Sequence, residues 1–193
     1  MLDDVRQRAA NPEHEWDRRA IDWPLTPESV VVEVGGYCGR WALQIAERYH
    51  PRLYVFEPQL WAADVCRAVL GDRAQVVQAA LGDRFGPAHM GKWETDGCSL
   101  VEPGSQQVVM VEIAKTFKQL GIKAPDLMLM NIEGYEYTLI PHMISQGVLP
   151  KRLMVQAHGD LDILIRQLDA AGYKILWTYG AVLTAWERYE SLH

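Results

Sequence analysis

The stretch VVVEVGGYCGRW, residues 30–41, decides how the rest of the chain is read. Val30 to Val34 is almost continuously β-branched, which suits a pleated strand. The lack of polar alternation predicts a strand covered on both faces. It breaks at Gly35, Gly36 and Gly39 and runs into GRWALQIAERY (39–49), where Trp41, Ile45 and Tyr49 share one helical stripe. A buried strand, a glycine turn and a helix in succession form a unit that commonly holds a ligand at the turn.

Outward from this unit the alternation continues. LYVFE (53–57), QVVQAA (75–80), LMLMNI (127–132) and RLMVQAH (152–158) read as further strands. LWAADVCRAVL (60–70), YEYTLIPHMISQG (135–147, with Pro141 inside) and LDILIRQLDAAG (161–172, closed by Gly172) read as helices. KILWTY (174–179) and AVLTAWE (181–187) form a terminal hairpin turning near Gly180. This order predicts a doubly wound α/β sheet, mostly parallel, ending in an antiparallel strand. Residues 84–112, rich in Gly, Pro and polar residues, are expected to be an inserted hairpin and loop over the sheet edge. Residues 1–29 carry Trp16 and Trp23 between breaks at Pro12, Pro24 and Pro27. They read as an N-terminal helix and linker, anchored by the tryptophans on a single domain at 30–193.

Bulk properties narrow the function. The 193 residues suit one core rather than two. A net charge of −6 argues against a nucleic-acid backbone as partner. Cys38, Cys66 and Cys98 make no CxxC pair, as expected of free thiols in a reducing compartment. The N-terminus is too charged for a signal peptide and no apolar run reaches membrane-spanning length, so the expected location is the cytoplasm, with no membrane partner. His14, His50, His89, His142 and His193 show no metal-ligand spacing, and no metal is expected.

The turn itself selects a ligand class. A dinucleotide site uses G-x-G-x-x-G so that backbone can approach a pyrophosphate. Here the pattern is E-x-G-x-x-x-G, from Glu33 to Gly39. A carboxylate fits poorly beside a diphosphate and well beside the ammonium and sulfonium of S-adenosylmethionine. Glu57, about twenty residues beyond the loop, stands where an acid accepts hydrogen bonds from ribose hydroxyls. Glu33 and Glu57 together disfavour a nicotinamide reductase.

With these segments in place, VVVEVGGYCGRW, LYVFEP, VVQAALGDRFG, CSL and DLMLMNIEGYEYTLIPHMI resemble the FkbM-type S-adenosylmethionine-dependent methyltransferases, over most of residues 30–158. Gly172 and Tyr173 supply a compatible end. The glycine turn and FEP are generic to class I methyltransferases; the ALGD step (80–83) and IEG followed by Glu136 are more specific. The resemblance implies a seven-stranded methyltransferase sheet and O-methylation of a hydroxyl on a saccharide or secondary metabolite. It also implies cofactor contacts from Glu33, Gly35, Gly36, Tyr37, Gly39, Glu57, Pro58, Ala80, Leu81 and Asn131. Three positions depart from the family. Glu33 replaces an aspartate, and Asn131 and Gln156 stand as amides where the family carries carboxylates.

For chemistry, His158 at the end of the fifth strand is the expected general base, or else a histidine bonded to loop backbone. Glu133 reads as a base, a substrate-hydroxyl acceptor, or an acid near the start of the next helix. Asn131 is expected to position rather than to take a proton. Asp83 is placed near the adenine or as a turn cap. Ser99 is placed to reach the cofactor from the insert, and Trp93 to contact the acceptor. Against the methyltransferase reading stands a non-catalytic S-adenosylmethionine-binding module, motivated by the two amides. A nucleic-acid N-methyltransferase lacks support, since no Asn-Pro-Pro step follows the fourth strand. The small-molecule acceptor is not legible, and a homo-oligomer stays open.

Overall fold

The computed structural model describes residues 19–91, 100, 106–180 and 183–189. Trp16, Trp93, Ser99, Cys98, His14 and His193 lie outside them, so the roles given to Trp16, Trp93 and Ser99 have no structural account. In chain order the elements are β1 (Val30–Val34), α1 (Arg40–Tyr49), β2 (Arg52–Phe56), α2 (Leu60–Leu70), β3 (Ala74–Val77), β4 (Ala80–Gly82), β5 (Gly86–Met90) and β6 (Gln106–Glu112). There follow α3 (Ile113–Leu120), β7 (Leu127–Met130), α4 (Glu136–Ser145), β8 (Arg152–Gln156), α5 (Leu161–Ala170), β9 (Tyr173–Tyr179) and β10 (Leu183–Arg188).

Seven strands form one sheet in the order β3-β2-β1-β7-β8-β10-β9. Neighbours from β3 to β8 pair in parallel; β10 runs antiparallel to both β8 and β9. The doubly wound sheet with its antiparallel terminal strand is therefore as the sequence predicts. The β-branched run of β1 sits at the centre because both of its faces are covered. Val32 and Val34 join Tyr54, Phe56, Met128, Met130 and Val155 in one apolar layer. Val31 joins Leu53, Val55, Leu127, Leu129 and Met154 in the other, with α1 and α2. This two-residue period along each strand separates the layers. Residues before β1 close the second layer: both Trp23 and Trp41 donate their indole N–H to the Ala20 carbonyl, at 2.9 and 2.8 Å.

Two features differ from expectation. The third strand ends at Val77, and Ala80–Gly82 leaves the main sheet to pair in parallel with β6. The insert is a hairpin, β5 antiparallel to β6, but with β4 it builds a second, three-stranded sheet, in order β4-β6-β5. A helix unforeseen in the sequence, α3, follows β6 directly. Glu112 starts it by accepting the Ala114 and Lys115 amides at 3.0 and 2.8 Å, as a side-chain N-cap does.

Candidate functional site

Strand order reverses between β1 and β7, so the helices that follow these two strands lie on opposite faces and a crevice opens beyond their carboxyl ends. A cleft occupies that place. It is lined by Glu33, Gly35, Gly36, Tyr37, Glu57, Pro58, Ala80, Leu81, Asn131 and Glu133 among the expected residues. Arg40, Trp41, Gln44, Leu129, Met154, Gln156 and Leu183 complete much of its wall.

The β1–α1 turn is shaped by contacts that exclude side chains. Gly35 has φ 85°, and a Cβ there would overlap the Asn131 carbonyl oxygen; one on Gly36 would overlap Cγ1 of Val55. Tyr37, not a glycine, also takes the left-handed conformation at φ 45°. Glu57 holds it there: its Oε2 accepts the Tyr37 amide and its Oε1 the Gln59 amide, each at 2.8 Å. Gly39 plays a different part from the one expected. It is absent from the cleft wall; at φ 72° its amide donates to the Gly36 carbonyl and its Cα side packs toward Cys66 and Leu70. It lets the chain turn into α1.

Two residues of the cleft wall each hold a buried, unmatched acceptor. Glu33 is buried; its carboxylate takes a hydrogen bond from the Ala42 backbone, but Oε2 has no partner. Burial, then the nearby charge of Glu57, raises the Glu33 carboxyl well above its ordinary range. Glu57 is raised for the same first reason, with the Gln59 and Tyr37 amides opposing the shift. Across the cleft, Oδ1 of Asn131 is likewise buried without a partner. Buried acceptors left unmatched are costly, so such a pair marks a place where a ligand donor belongs.

His158 and Asp83 are not on the cleft wall. His158 stands behind Glu133, with Nε2 3.3 Å from Glu133 Oε2 and Nδ1 2.9 Å from Glu136 Oε1. The carboxylates of Glu133 and Glu136 raise its pKa to about 10, against an opposing effect of burial. A histidine so held is already protonated at neutral pH, which removes the lone pair that a general base needs. Asp83 instead accepts the Tyr135 hydroxyl at 2.6 Å and pairs with Arg84. Its partial burial would raise its pKa, but Tyr135 and Arg84 outweigh this and lower it. Among the described residues, no cluster of three His, Cys, Asp or Glu is arranged to hold a metal ion, and no helix is long and apolar enough to cross a membrane.

No family model matches the chain, and no curated protein matches it. Solved structures do. An rRNA methylase from Streptococcus thermophilus matches with a TM-score of 0.53 at 12% identity, over 93% of this chain and 98% of that one. A precorrin-6y C5,15-methyltransferase from Geobacter metallireducens matches with a TM-score of 0.55 at 11% identity, over 94% and 90%. A fibrillarin from Aeropyrum pernix, in complex with natively bound S-adenosyl-L-methionine, matches with a TM-score of 0.52 at 11% identity, over 86% and 68%. The fold is that of the class I methyltransferases.

Sequence reading missed Arg40, Trp41 and Gln44, which the first turns of α1 bring to the cleft. The spacing of Arg40 and Gln44, four residues apart just after the glycine turn, was the available signal, since such residues share a helix face. Leu129 and Met154, read only as strand core, also reach the wall.

Proposed function

We propose that the chain is an S-adenosylmethionine-dependent methyltransferase acting on a hydroxyl of a saccharide or secondary metabolite. The observation that carries the cofactor is the pair of unmatched buried acceptors, Glu33 Oε2 and Asn131 Oδ1, around a turn too tight for side chains. The residues present fit that cofactor. Glu33 suits an ammonium group, and Arg40 on the same wall suits the carboxylate of a zwitterionic amino-acid end. Glu57 already accepts two amides, yet each carboxylate oxygen retains a second lone pair for a ribose hydroxyl. Leu81, Met90, Phe56 and Pro58 offer apolar surface for the adenine. Bound there, S-adenosylmethionine supplies an electrophilic methyl carbon with a neutral thioether as leaving group. The chain's part is to align the acceptor oxygen and exclude water. The fold shared with the S-adenosyl-L-methionine-bound fibrillarin supports this reading.

The hydroxyl acceptor rests on the resemblance of the IEGYE and ALGD segments to the FkbM-type enzymes. The net charge of −6 favours a small molecule over a nucleic acid. Calorimetry tests the core of the proposal. S-adenosylhomocysteine is expected to bind in the micromolar range, about −8 kcal/mol. Binding of NADH with neither S-adenosylmethionine nor its product would overturn it. The amides Asn131 and Gln156 favour one second reading, a binding module without catalysis. Transfer of a tritiated methyl group into extracted glycans or metabolites would exclude that reading.

A further inference from the structure

The turn between β7 and α4 contains a bracket of charges that the cofactor reading leaves unused. Glu136 is fully buried, and four contacts converge on it or its partner. Its Oε1 accepts the Ile132 amide at 3.1 Å and meets His158 Nδ1 at 2.9 Å; its Oε2 accepts the Gly134 amide at 2.8 Å. The two amides flank Glu133, a non-glycine residue in the left-handed conformation at φ 54°. On the far side of the imidazole, Nε2 lies 3.3 Å from Glu133 Oε2. Glu133 itself lines the cleft, together with Asn131, Ile132 and Gln156.

We propose that Glu133 receives the acceptor's proton during methyl transfer, and that His158 and Glu136 are positioning residues that hold it in place. The inference rests on the cleft being an S-adenosylmethionine site. Between two carboxylates, both imidazole nitrogens act as donors, so His158 has no lone pair to accept a proton. Asn131 and Gln156 are amides and cannot serve as bases. Glu33 and Glu57 are buried in the opposite, β1–β2 half of the cleft, where they suit the cofactor. Glu133 is the carboxylate left beside the strand ends β7 and β8. The step balances simply. The acceptor oxygen bonds to the methyl carbon, the carbon–sulfur bond breaks with its electron pair left on sulfur, and the hydroxyl proton passes to Glu133 and then to water. Strain at Glu133 persists because Glu136 fixes the peptide on either side.

The bracket also sets a pH behaviour. Glu133 and Glu136 face His158 from the turn, and Gln156, at the end of β8, has its Nε2 3.4 Å from the ring Nε2. Glu133 and Glu136 raise the pKa of His158 to about 10, and Tyr137 is itself raised by burial, then by Glu136 and Asp160.

Two measurements need no knowledge of the acceptor. In the first, calorimetry compares S-adenosylhomocysteine with sinefungin, whose protonated amine projects where the transferred methyl would lie. Wild type is expected to favour sinefungin about 10-fold, and Glu133→Gln to abolish that preference while keeping its S-adenosylhomocysteine affinity within about twofold. Glu133→Asn, which tolerates a left-handed backbone, should behave as Glu133→Gln. A preference absent from wild type, or unmoved by both variants, overturns the proposal. If neither ligand binds wild type, the cofactor reading falls first and this inference with it. In the second, NMR of the imidazole nitrogens should find His158 protonated to beyond pH 9, and its titration moved toward the ordinary histidine range in Glu133→Gln. Titration near pH 6.5 in wild type overturns the bracket even if sinefungin selectivity holds.

Discussion

The two turns that meet at the cleft use one device with opposite electrostatics. In the β1–α1 turn, Glu57 accepts the amides of Tyr37 and Gln59 and fixes a left-handed Tyr37. In the β7–α4 turn, Glu136 accepts the amides of Ile132 and Gly134 and fixes a left-handed Glu133. Each carboxylate stands in for the ladder that a loop cannot form. The neighbours differ. Glu57 lies near another acid, Glu33, and both carboxyls are raised by burial. Glu136 lies against His158, a cation of the chain's own. In one half of the cleft two acids lie together; in the other an acid lies against a basic ring.

The largest effect is expected where His158 loses its buried partner. Glu136→Ala removes a fully buried carboxylate, two amide acceptors and the partner of His158, and should destabilise the fold by about 3–5 kcal/mol. Urea unfolding reads this directly, and a loss below 1 kcal/mol would break the comparison. Next comes Gly35→Ala. Its Cβ would overlap the Asn131 carbonyl in a left-handed backbone, so about 2 kcal/mol of stability should go and both turns should shift. Backbone amide shifts confined to the β1–α1 turn would show that the two turns are independent.

Glu57→Gln should leave the fold in place but weaken S-adenosylhomocysteine by about 2 kcal/mol, because an amide donor then opposes a backbone N–H. Unchanged affinity by calorimetry would remove the carboxylate from the cofactor site.

The smallest effects are in pH. His158 has its folded pKa raised to about 10, so its contribution to stability is complete below pH 6.5 and is lost as pH rises toward 10. Glu33 has its folded pKa raised too, so it favours the folded state in acid and its contribution falls as pH rises from its unfolded value to its raised one. A cation bound beside Glu33 favours the ionised carboxylate. Binding of S-adenosylmethionine is therefore expected to release protons, seen as a dependence of calorimetric heat on the buffer's ionisation enthalpy. His158→Gln should flatten the alkaline slope and leave that release unchanged.

How legible this was in the sequence varied with range. Val30–Val34, the glycine turn and FEP were legible because each is a local pattern: β-branched residues, glycines needing positive φ or close approach, an acid at a strand end. The doubly wound order followed from their repetition. The helix α3 escaped because it is short and begins directly on the strand residue Glu112, without a polar spacer. The third strand reads through to Ala80 because nothing in Ala80–Gly82 reveals that its partner is β6, about thirty residues on. In the sequence His158 reads as a base from its strand-end position and the ordinary titration range of histidine. Its partners lie 22 residues away at Glu136 and on the turn at Glu133, and only their convergence turns a titratable ring into a fixed cation.

The back of Gly35 against the Asn131 carbonyl has a consequence for engineering. A change of ligand preference could be sought by grafting the loop after β7 from another protein of this fold. Here that graft would have to match the contour of Gly35 before it met any substrate. Libraries in which the Asn131–Gly134 segment varies alone would lose members at the glycine contact, whatever their side chains offered the acceptor. Varying the two turns as one cassette would keep those members.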